Sequence, residues 1–157
     1  MDRQQRLRIA VQKSGRLTDE SLDLLHRCGL KFNRGKDQLM CYGENMPLDV
    51  LFVRDDDIPD LVQEDVCDLG LVGINVIEEK RLAMAARGSQ ARFELIQRLD
   101  FGRCRLSLAV PDDFPYAGLA SLAGRRIATT YPHVLARFLR ENSITAEIVT
   151  LSGAVEI

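Results

Sequence analysis

Short apolar runs and longer amphipathic runs alternate along this sequence. The apolar runs favour β-strands, because each is short and is bounded by turn-forming residues. The predicted strands are residues 7–11, 48–53, 68–73, 93–98, 104–110, 125–130 and 147–151. Helical periodicity follows the first, second, third and sixth of these strands. Strands that alternate with helices predict an α/β fold.

Capping residues mark where three of the predicted helices begin. Thr18 is the expected N-cap of the first helix, over residues 18–28. Asp57 caps the second helix, while Asn75 and Glu78 form a capping pair for the third. Helical spacing places four apolar residues on one face of the second helix: Ile58, Leu61, Val62 and Val66.

The length of the chain allows one domain or two small lobes. It has 157 residues, whereas domains typically contain about 100–150. A polar stretch at residues 87–90 predicts a boundary, so that lobe I covers residues 1–90 and lobe II covers residues 91–157. The last ten residues are largely apolar and strand-like, which leads us to expect a chain cut inside a domain.

Composition and charge exclude several classes of function. Lys and Arg total 21 and Asp and Glu total 23, so the net charge of −2 provides no broad basic field for nucleic acid. No apolar run approaches the roughly 18–20 residues that span a bilayer, so we expect no membrane partner. The polar N-terminus carries no signal-peptide pattern, and we expect a cytoplasmic protein.

The four cysteines have no spacing typical of a metal site or a disulfide framework. Cys28, Cys41, Cys67 and Cys104 include no CxxC pair. Cys28 and Cys67 fall among apolar helix positions, and we expect both to be buried as small hydrophobic side chains.

The clearest candidate site is the turn after the first strand, residues 13–16, called here the β1 turn. It contains Lys13, Ser14, Gly15 and Arg16 directly before a helix. Glycine lets backbone N–H groups approach an anion, and a helix N-terminus flanked by two cations favours phosphate. The alternative is an ordinary turn with two solvated charges.

Two further turns combine charge or glycine with a strand end. After the second strand, Asp55, Asp56 and Asp57 suit Mg²⁺, a hydroxyl pair, or only the N-terminus of a helix. After the third strand, Gly70 and Gly73 permit close approach by a ligand or, equally well, by packed backbone.

The later turns offer hydroxyl, aromatic and acidic groups. Residues 129–132 place Tyr131 where a ring would lie beside an anion site, or would simply pack. Residues 152–156 form a similar turn with Glu156. If the strands are parallel, all these turns share one edge, as a ligand cleft requires. No nucleophile–base pair is visible, and His26 and His133 are expected to be structural or solvent-facing.

An ordered set of motifs resembles one enzyme family. The runs LRIA, QKSGRL, ENMP, VRDDDIP, DLG, RLDFG, CRLSLA, RIAT and YPH stand at residues 7–10, 12–17, 44–47, 53–59, 68–70, 98–102, 104–109, 126–129 and 131–133. On these residues the chain resembles the ATP phosphoribosyltransferase family, most closely its long form. The resemblance covers essentially the whole chain.

The resemblance implies a fold, a reaction and partners. The fold has two α/β lobes that face each other across a cleft, as in type II periplasmic binding proteins. The reaction transfers phosphoribosyl from phosphoribosyl pyrophosphate (PRPP) to N1 of ATP adenine, releasing pyrophosphate, in the first step of histidine biosynthesis. Mg²⁺ accompanies the phosphorylated substrates, histidine is a feedback inhibitor of the full-length enzyme, and dimers assemble to hexamers.

The resemblance also implies roles for individual residues. In the β1 turn, Lys13, Gly15 and Arg16 would hold phosphates, with Ser14 beside them. Arg54 would be the catalytic group that stabilises charge between the two substrates. The remaining substrate-binding residues would be Asp68, Gly70 and Leu71 in lobe I, Tyr131 near the adenine, and Glu156 near a ribose.

The sequence departs from the family pattern at two places. Gln38 stands where long-form relatives tend to carry an arginine, although Arg34 and Lys36 are close in sequence. The PRPP-binding loop and a histidine-binding domain are expected after Glu156 and are not found. We therefore expect a fragment that lacks turnover alone. The rival reading is a non-enzymatic two-lobed module that binds a small anion.

Overall fold

The computed structural model describes residues 6–35 and 38–152. Its six strands are β1 Leu7–Gln12, β2 Met40–Tyr42, β3 Leu48–Val53, β4 Leu69–Gly70, β5 Arg126–Thr129 and β6 Glu147–Thr150. Its four α-helices are α1 Thr18–Arg27, α2 Ile58–Gln63, α3 Ile74–Ala86 and α4 Pro132–Glu141. Short 3₁₀ helices cover Asp55–Asp57 and Leu119–Leu122. The predicted α/β class is confirmed.

A four-stranded sheet is built around β1. The strand order is β2-β3-β1-β4, and β1 is parallel to both of its neighbours, while β2 is antiparallel to β3. Gln12 lies opposite Val53, and Ala10 lies opposite Gly70. The three parallel strands therefore end at one edge of the sheet, called here the carboxyl edge.

Both faces of β1 are buried, and each face packs against a different helix. Ile9 and Val11 point into one core with Leu25 of α1, together with Leu30, Cys41, Val50 and Phe52. Ala10 points to the opposite core, where it meets Ile58 of α2 and Cys67. The chain moves from β1 to β3 on one side and then to β4 on the other. Right-handed crossovers in opposite directions put the two helices on opposite faces.

A second, two-stranded sheet follows in the chain. β5 and β6 pair in parallel, and α4 connects them. Leu135 and Leu139 are the buried residues of α4, and they cover this sheet. Helix α3 packs against α4, which joins the two sheets through a helix pair.

Two predicted strands are wrong, and a third is shorter than predicted. Residues 93–98 and 104–110 form no strand, because within the part of the chain that the structure describes they have no hydrogen-bonded partner strand. Alternating apolar residues form a strand only when a ladder satisfies their backbone groups. Large apolar side chains remain exposed in these segments, with Ile96 73% exposed. The predicted strand at residues 68–73 shrinks to Leu69–Gly70.

The predicted side-chain caps are wrong, because Thr18, Asp57 and Asn75 do not bind the N–H groups at the start of their helices. Each of these side chains binds a different group. Thr18 lies inside α1, and its hydroxyl donates to the Gln12 carbonyl at 3.1 Å. Asp57 holds the N-cap position of α2, but its carboxylate accepts from Arg54. Asn75 lies inside α3, and its amide donates to the Tyr131 hydroxyl.

The four cysteines are free thiols. Cys67 is buried as predicted, and Cys41 is buried too, whereas Cys28 is exposed, so its predicted burial is wrong. Burial raises the pKa of the Cys41 and Cys67 thiols, which keeps them protonated. Within residues 6–35 and 38–152, no helix is both long and apolar enough to cross a membrane.

Truncating Ile58 should test the core beneath the carboxyl edge. Ile58 is fully buried, so Ile58→Ala should lower the free energy of unfolding by about 2–5 kcal/mol through lost contacts and a residual cavity. Val66, predicted on the same face, lies beyond the end of α2 and is 37% exposed. Val66→Ala should cost about 0.5 kcal/mol. Urea denaturation measures both, and equal losses would contradict this arrangement.

Candidate functional site

The carboxyl edge brings together turns that are distant in sequence. The Lys13 N–H, just after β1, donates to the Val53 carbonyl at the end of β3, at 2.7 Å. The Leu71 N–H, just after β4, donates to the Ala10 carbonyl at 2.9 Å. Hydrogen bonds between main-chain groups therefore hold these turns to one another. In open α/β sheets, this edge, where the strand order reverses, is where ligands bind.

The β1 turn is shaped by the side chain of Gln12. Its Oε1 accepts from the Leu17 N–H at 3.1 Å, so the amide lies inside the turn. Gly15 has a φ of +134°, and a Cβ there would lie 2.6 Å from Gln12 Nε2. Only glycine fits this position without strain. Ser14, Gly15 and Arg16 are exposed, so the turn presents its polar groups to solvent.

Arg34 holds the β1 turn by binding its main chain. Sequence reasoning missed this role. Its guanidinium carbon lies 4.0 Å from the centroid of the Phe52 ring, and its Nη2 donates to the Lys13 carbonyl at 2.9 Å. Gln38 does not reach the turn, because its Oε1 accepts from the Gly35 N–H at 2.8 Å. Arg34 therefore brings a cation to the β1 turn, whereas Gln38 stays within its own loop.

Arg54 is exposed and bound to a neighbouring carboxylate. Its side chain is 84% exposed, and its Nε donates to Asp57 Oδ2 at 3.1 Å. The hydrogen bond to Asp57 raises the pKa of Arg54, so the group stays charged. Such an exposed pair is weak, and the guanidinium is free to exchange Asp57 for a stronger anion.

The carboxylates at residues 55–57 repel one another. Partial burial, followed by the charges of Asp55 and Asp57, raises the pKa of Asp56, and Arg54 only partly opposes this. A carboxyl whose folded-state pKa is raised contributes stability below its unfolded pKa. That contribution is lost as the pH rises through the folded-state pKa. The charged form of Asp56 therefore opposes folding at neutral pH.

The described residues do not provide a complete metal site. No group of three or more His, Cys, Asp or Glu side chains suited to a metal ion occurs within residues 6–35 and 38–152. Mg²⁺ typically keeps several waters and is held by one or two carboxylates together with substrate phosphates. The carboxylates after β3 therefore do not fit a resident Mg²⁺ by themselves.

Some residues in and around β4 line the candidate site, and others pack in the core. The Asp68 carboxylate accepts from the Arg8 N–H at 2.7 Å, at the amino end of β4 and away from the carboxyl edge. Gly70 is packed so closely that a Cβ would lie 2.4 Å from Ile58 Cγ2. Its glycine is therefore explained by helix packing. Both residues, with Leu71, line a groove of about 850 Å³.

Tyr131 faces the carboxyl edge from the other sheet. It follows β5, it is half-buried, and its hydroxyl accepts from Asn75 Nδ2 at 2.7 Å. Burial raises the pKa of Tyr131, and so do the nearby charges of Asp56 and Asp55, while Arg16 opposes them. Asn75 lies in the first turn of α3, the helix that follows β4, so its hydrogen bond places the Tyr131 hydroxyl near the carboxyl end of β4.

The N-terminus of α4 is already bound to a protein carboxylate. Glu79 of α3 accepts from the His133 N–H at 3.0 Å and from the Val134 N–H at 2.8 Å. Glu79 Oε1 also lies 2.7 Å from His133 Nδ1. The Glu79 carboxylate therefore already occupies the anion-binding position at this helix end. Sequence reasoning missed Glu79, although it lies four residues after Asn75, on the same face of α3.

Glu156 lies outside the described residues. Ser152, the last described residue, is exposed. Main-chain hydrogen bonds thus bring together the β1 turn, Leu71, and the end of β3 that precedes Arg54 and the carboxylates at residues 55–57. Tyr131 joins them through Asn75, at the start of the helix that follows β4. Asp68 stands apart from this group.

Two comparisons relate the chain to known proteins. Residues 54–157 match the family model described as HisG: ATP phosphoribosyltransferase. The structure resembles the ATP phosphoribosyl transferase (HisG:HisZ) complex from Thermotoga maritima, with a TM-score of 0.62 and 24% sequence identity. That match covers 96% of this chain and 67% of the other. It shows a shared fold. The family match does not include the β1 turn.

Replacing Gly15 should test whether the β1 turn binds anions. Gly15→Ala should cost more than about 1 kcal/mol of stability, because an L side chain is strained at this φ. It should also weaken the binding of inorganic pyrophosphate, measured by calorimetry, several-fold. Gly88→Ala is the matched control, because Gly88 also has a positive φ, of +73°, but has open space around it. Equal pyrophosphate affinity in both variants would contradict an anion-binding β1 turn.

Proposed function

The chain belongs to the ATP phosphoribosyltransferase family, and from this membership we propose that it supplies the part of the catalytic unit that binds ATP. At the level of the family, the role is transfer of a phosphoribosyl group in histidine biosynthesis. In the proposed reaction, N1 of the ATP adenine attacks C1 of PRPP. The bond from C1 to the pyrophosphate oxygen breaks, and pyrophosphate leaves.

One observation carries this proposal: the cationic β1 turn and Tyr131 both lie at the carboxyl edge, the first at the end of β1 and the second bound to Asn75, in the first turn of the helix that follows β4. Arg16 is one of the charges that act on Tyr131, although the two residues lie in turns far apart in the sequence. A nucleotide requires this combination of cations for phosphates and an aromatic ring for a base. Lys13, Ser14, Gly15 and Arg16 would bind the phosphates.

The proposed reaction requires positioning and electrostatic stabilisation. Positive charge develops on the ribose at C1 and negative charge on the departing pyrophosphate. Arg54, exposed and weakly held by Asp57, would turn to the developing negative charge between the two substrates. No side-chain nucleophile is needed, because the adenine nitrogen is itself the nucleophile. Mg²⁺ would arrive with the phosphorylated substrates and neutralise part of their charge.

In this proposal, further residues from lobe I line the cleft. Leu71 lies beside the carboxyl edge and Gly70 just beneath it, as cleft residues of lobe I. Asp68 would act through the groove that it lines, since its carboxylate is engaged by the main chain of β1. Glu156 would contact a ribose.

We also propose a two-lobed architecture of the type II periplasmic-binding-protein kind. The four-stranded sheet lies wholly within residues 1–90 and the two-stranded sheet within residues 91–157, which supports these ranges as the lobes. We propose a cytoplasmic location for the protein. It forms dimers that assemble to hexamers, and histidine inhibits its full-length form. The exposed apolar side chains of residues 95–110 supply surface for such an assembly.

A non-enzymatic module that binds a small anion is the second candidate function. The exposed β1 turn favours it, since a glycine turn with two cations suffices for an oxyanion. Tyr131 would have no role in such a module. Calorimetry with ATP, AMP, sulfate and an amino acid separates the candidates, because only the enzyme reading requires a preference for adenine nucleotides.

Removing the Arg16 guanidinium should weaken ATP binding. Hydrogen bonds to charged groups contribute about 1.5–3 kcal/mol, so Arg16→Ala should raise the Kd for ATP roughly ten- to a hundredfold. Arg27→Ala is the control, because Arg27 lies at the end of α1, 62% exposed and paired with Asp23. Calorimetry measures both variants. A wild-type chain that binds sulfate as tightly as ATP would exclude the proposed function.

We further propose that the 157-residue chain binds ATP without turnover. Residues of the segments 93–98 and 104–110 line the groove, but within the described residues no sheet holds them, which favours binding without the fixed geometry that turnover needs. The test mixes the chain with ATP, PRPP and Mg²⁺ and follows the absorbance of phosphoribosyl-ATP. Robust product formation by the chain alone would refute this prediction.

A further inference from the structure

Helix α3 presents three polar side chains to the segment that carries Tyr131. Asn75, Glu78 and Glu79 lie at helical spacing on one face of α3. Asn75 contacts the Tyr131 hydroxyl at 2.7 Å, and Glu78 accepts from Arg137 of α4 at 3.1 Å. Glu79 binds the first turn of α4. This face of α3 therefore contacts the turn between β5 and α4, the first turn of α4, and a residue further along α4.

Glu79 makes the most extensive of these contacts. Its side chain is only 17% exposed, and its two carboxylate oxygens face two main-chain N–H donors and one ring nitrogen. Oε1 faces the N–H and the Nδ1 of His133, and Oε2 faces the N–H of Val134. Such contacts satisfy N–H groups that a helix start leaves free, and a negative charge suits this end of the helix.

Tyr131 is the residue directly before this capped turn. It occupies the N-cap position of α4, and its own N–H donates to Thr129 Oγ1 at 2.9 Å. No cap from the Tyr131 side chain closes the helix end, so the carboxylate from α3 takes that place. Glu79 therefore binds the main chain of the two residues that directly follow Tyr131.

We propose that Glu79 is a positioning residue: by binding the first turn of α4, its carboxylate holds the Tyr131 ring against Asn75 and over the carboxyl edge. Glu79 itself touches no substrate in this proposal. Its effect on an adenine nucleotide passes through Tyr131 and rests on the proposed function. Its effect on the position of Tyr131 does not depend on any ligand.

The substitution Glu79→Gln tests the proposal with almost no change in shape. An amide carries one acceptor oxygen, so a nitrogen replaces either Oε1 or Oε2 and faces an N–H donor. Part of the cap is therefore lost. Glu78→Gln is the matched control, since Glu78 is the adjacent residue and its carboxylate pairs with the side chains of Arg81 and Arg137. Glu79→Asp keeps the charge and should restore part of the wild-type behaviour.

The first measurement is the ring signal of tyrosine in chains labelled with ¹³C-tyrosine. The chain has three tyrosines, and Tyr131→Phe identifies the signal of Tyr131. In Glu79→Gln this signal should shift toward those of Tyr42 and Tyr116, which are 59% and 49% exposed. The Tyr42 and Tyr116 signals should stay in place. An unmoved Tyr131 signal in Glu79→Gln overturns the proposal, whether or not the chain binds ATP.

The second measurement is binding by calorimetry, with ATP and inorganic pyrophosphate as probes. Glu79→Gln should weaken ATP binding about tenfold and pyrophosphate binding less than twofold, because the β1 turn is not altered. Glu78→Gln should change both by less than twofold. Equal weakening of both probes overturns the proposal, and so does loss of the folded state in both Glu79 variants. A wild-type chain without ATP affinity refutes the proposed function, while the tyrosine signal still decides this inference.

Discussion

β1 pairs in parallel with β3 on one side and with β4 on the other, and the candidate site depends on this double pairing. It buries both faces of a six-residue strand, so that Ile9 and Val11 fill one core and Ala10 the other. It also fixes the ends of three strands at one edge. Lys13, Arg54 and Leu71 reach that edge because their strands run in the same direction. Any slip in register would place these residues at different heights.

Much of the fold could be predicted from the sequence, because local periodicity decides it. The strand at Leu48–Val53 and the helix at Pro132–Glu141 each carry a clear pattern with turn residues at both ends. Residues 104–110 carry an equally clear pattern and are not a strand, because a strand also needs a partner, which periodicity does not report. The caps failed for a related reason. Asn75 binds Tyr131, 56 positions away, and only the fold brings the two close. Thr18 binds the Gln12 carbonyl across the β1 turn, a main-chain partner that residue types do not reveal.

The candidate site divides in the same way between local and distant information. The β1 turn was visible in the sequence, because Gly15 and its flanking cations are neighbours in the chain. Arg34 and Glu79 were not, since Arg34 acts on a residue 21 positions away and Glu79 on one 54 positions away. In both of these hydrogen bonds the partner is a main-chain group, which leaves no trace in the residue types around it. Supporting residues of this kind become visible only when the elements have been assembled.

The central position of β1 also imposes an order on the assembly of the chain. β1 leaves the ribosome before both of its parallel partners, which follow much later, around Val50 and Leu69. Until residue 70 has emerged, β1 can be paired on one side at most. Contacts so distant in sequence form slowly, because long loops must close first. During synthesis the most buried strand of the mature sheet is therefore a segment with open edges, and protection by a chaperone would matter most in that interval.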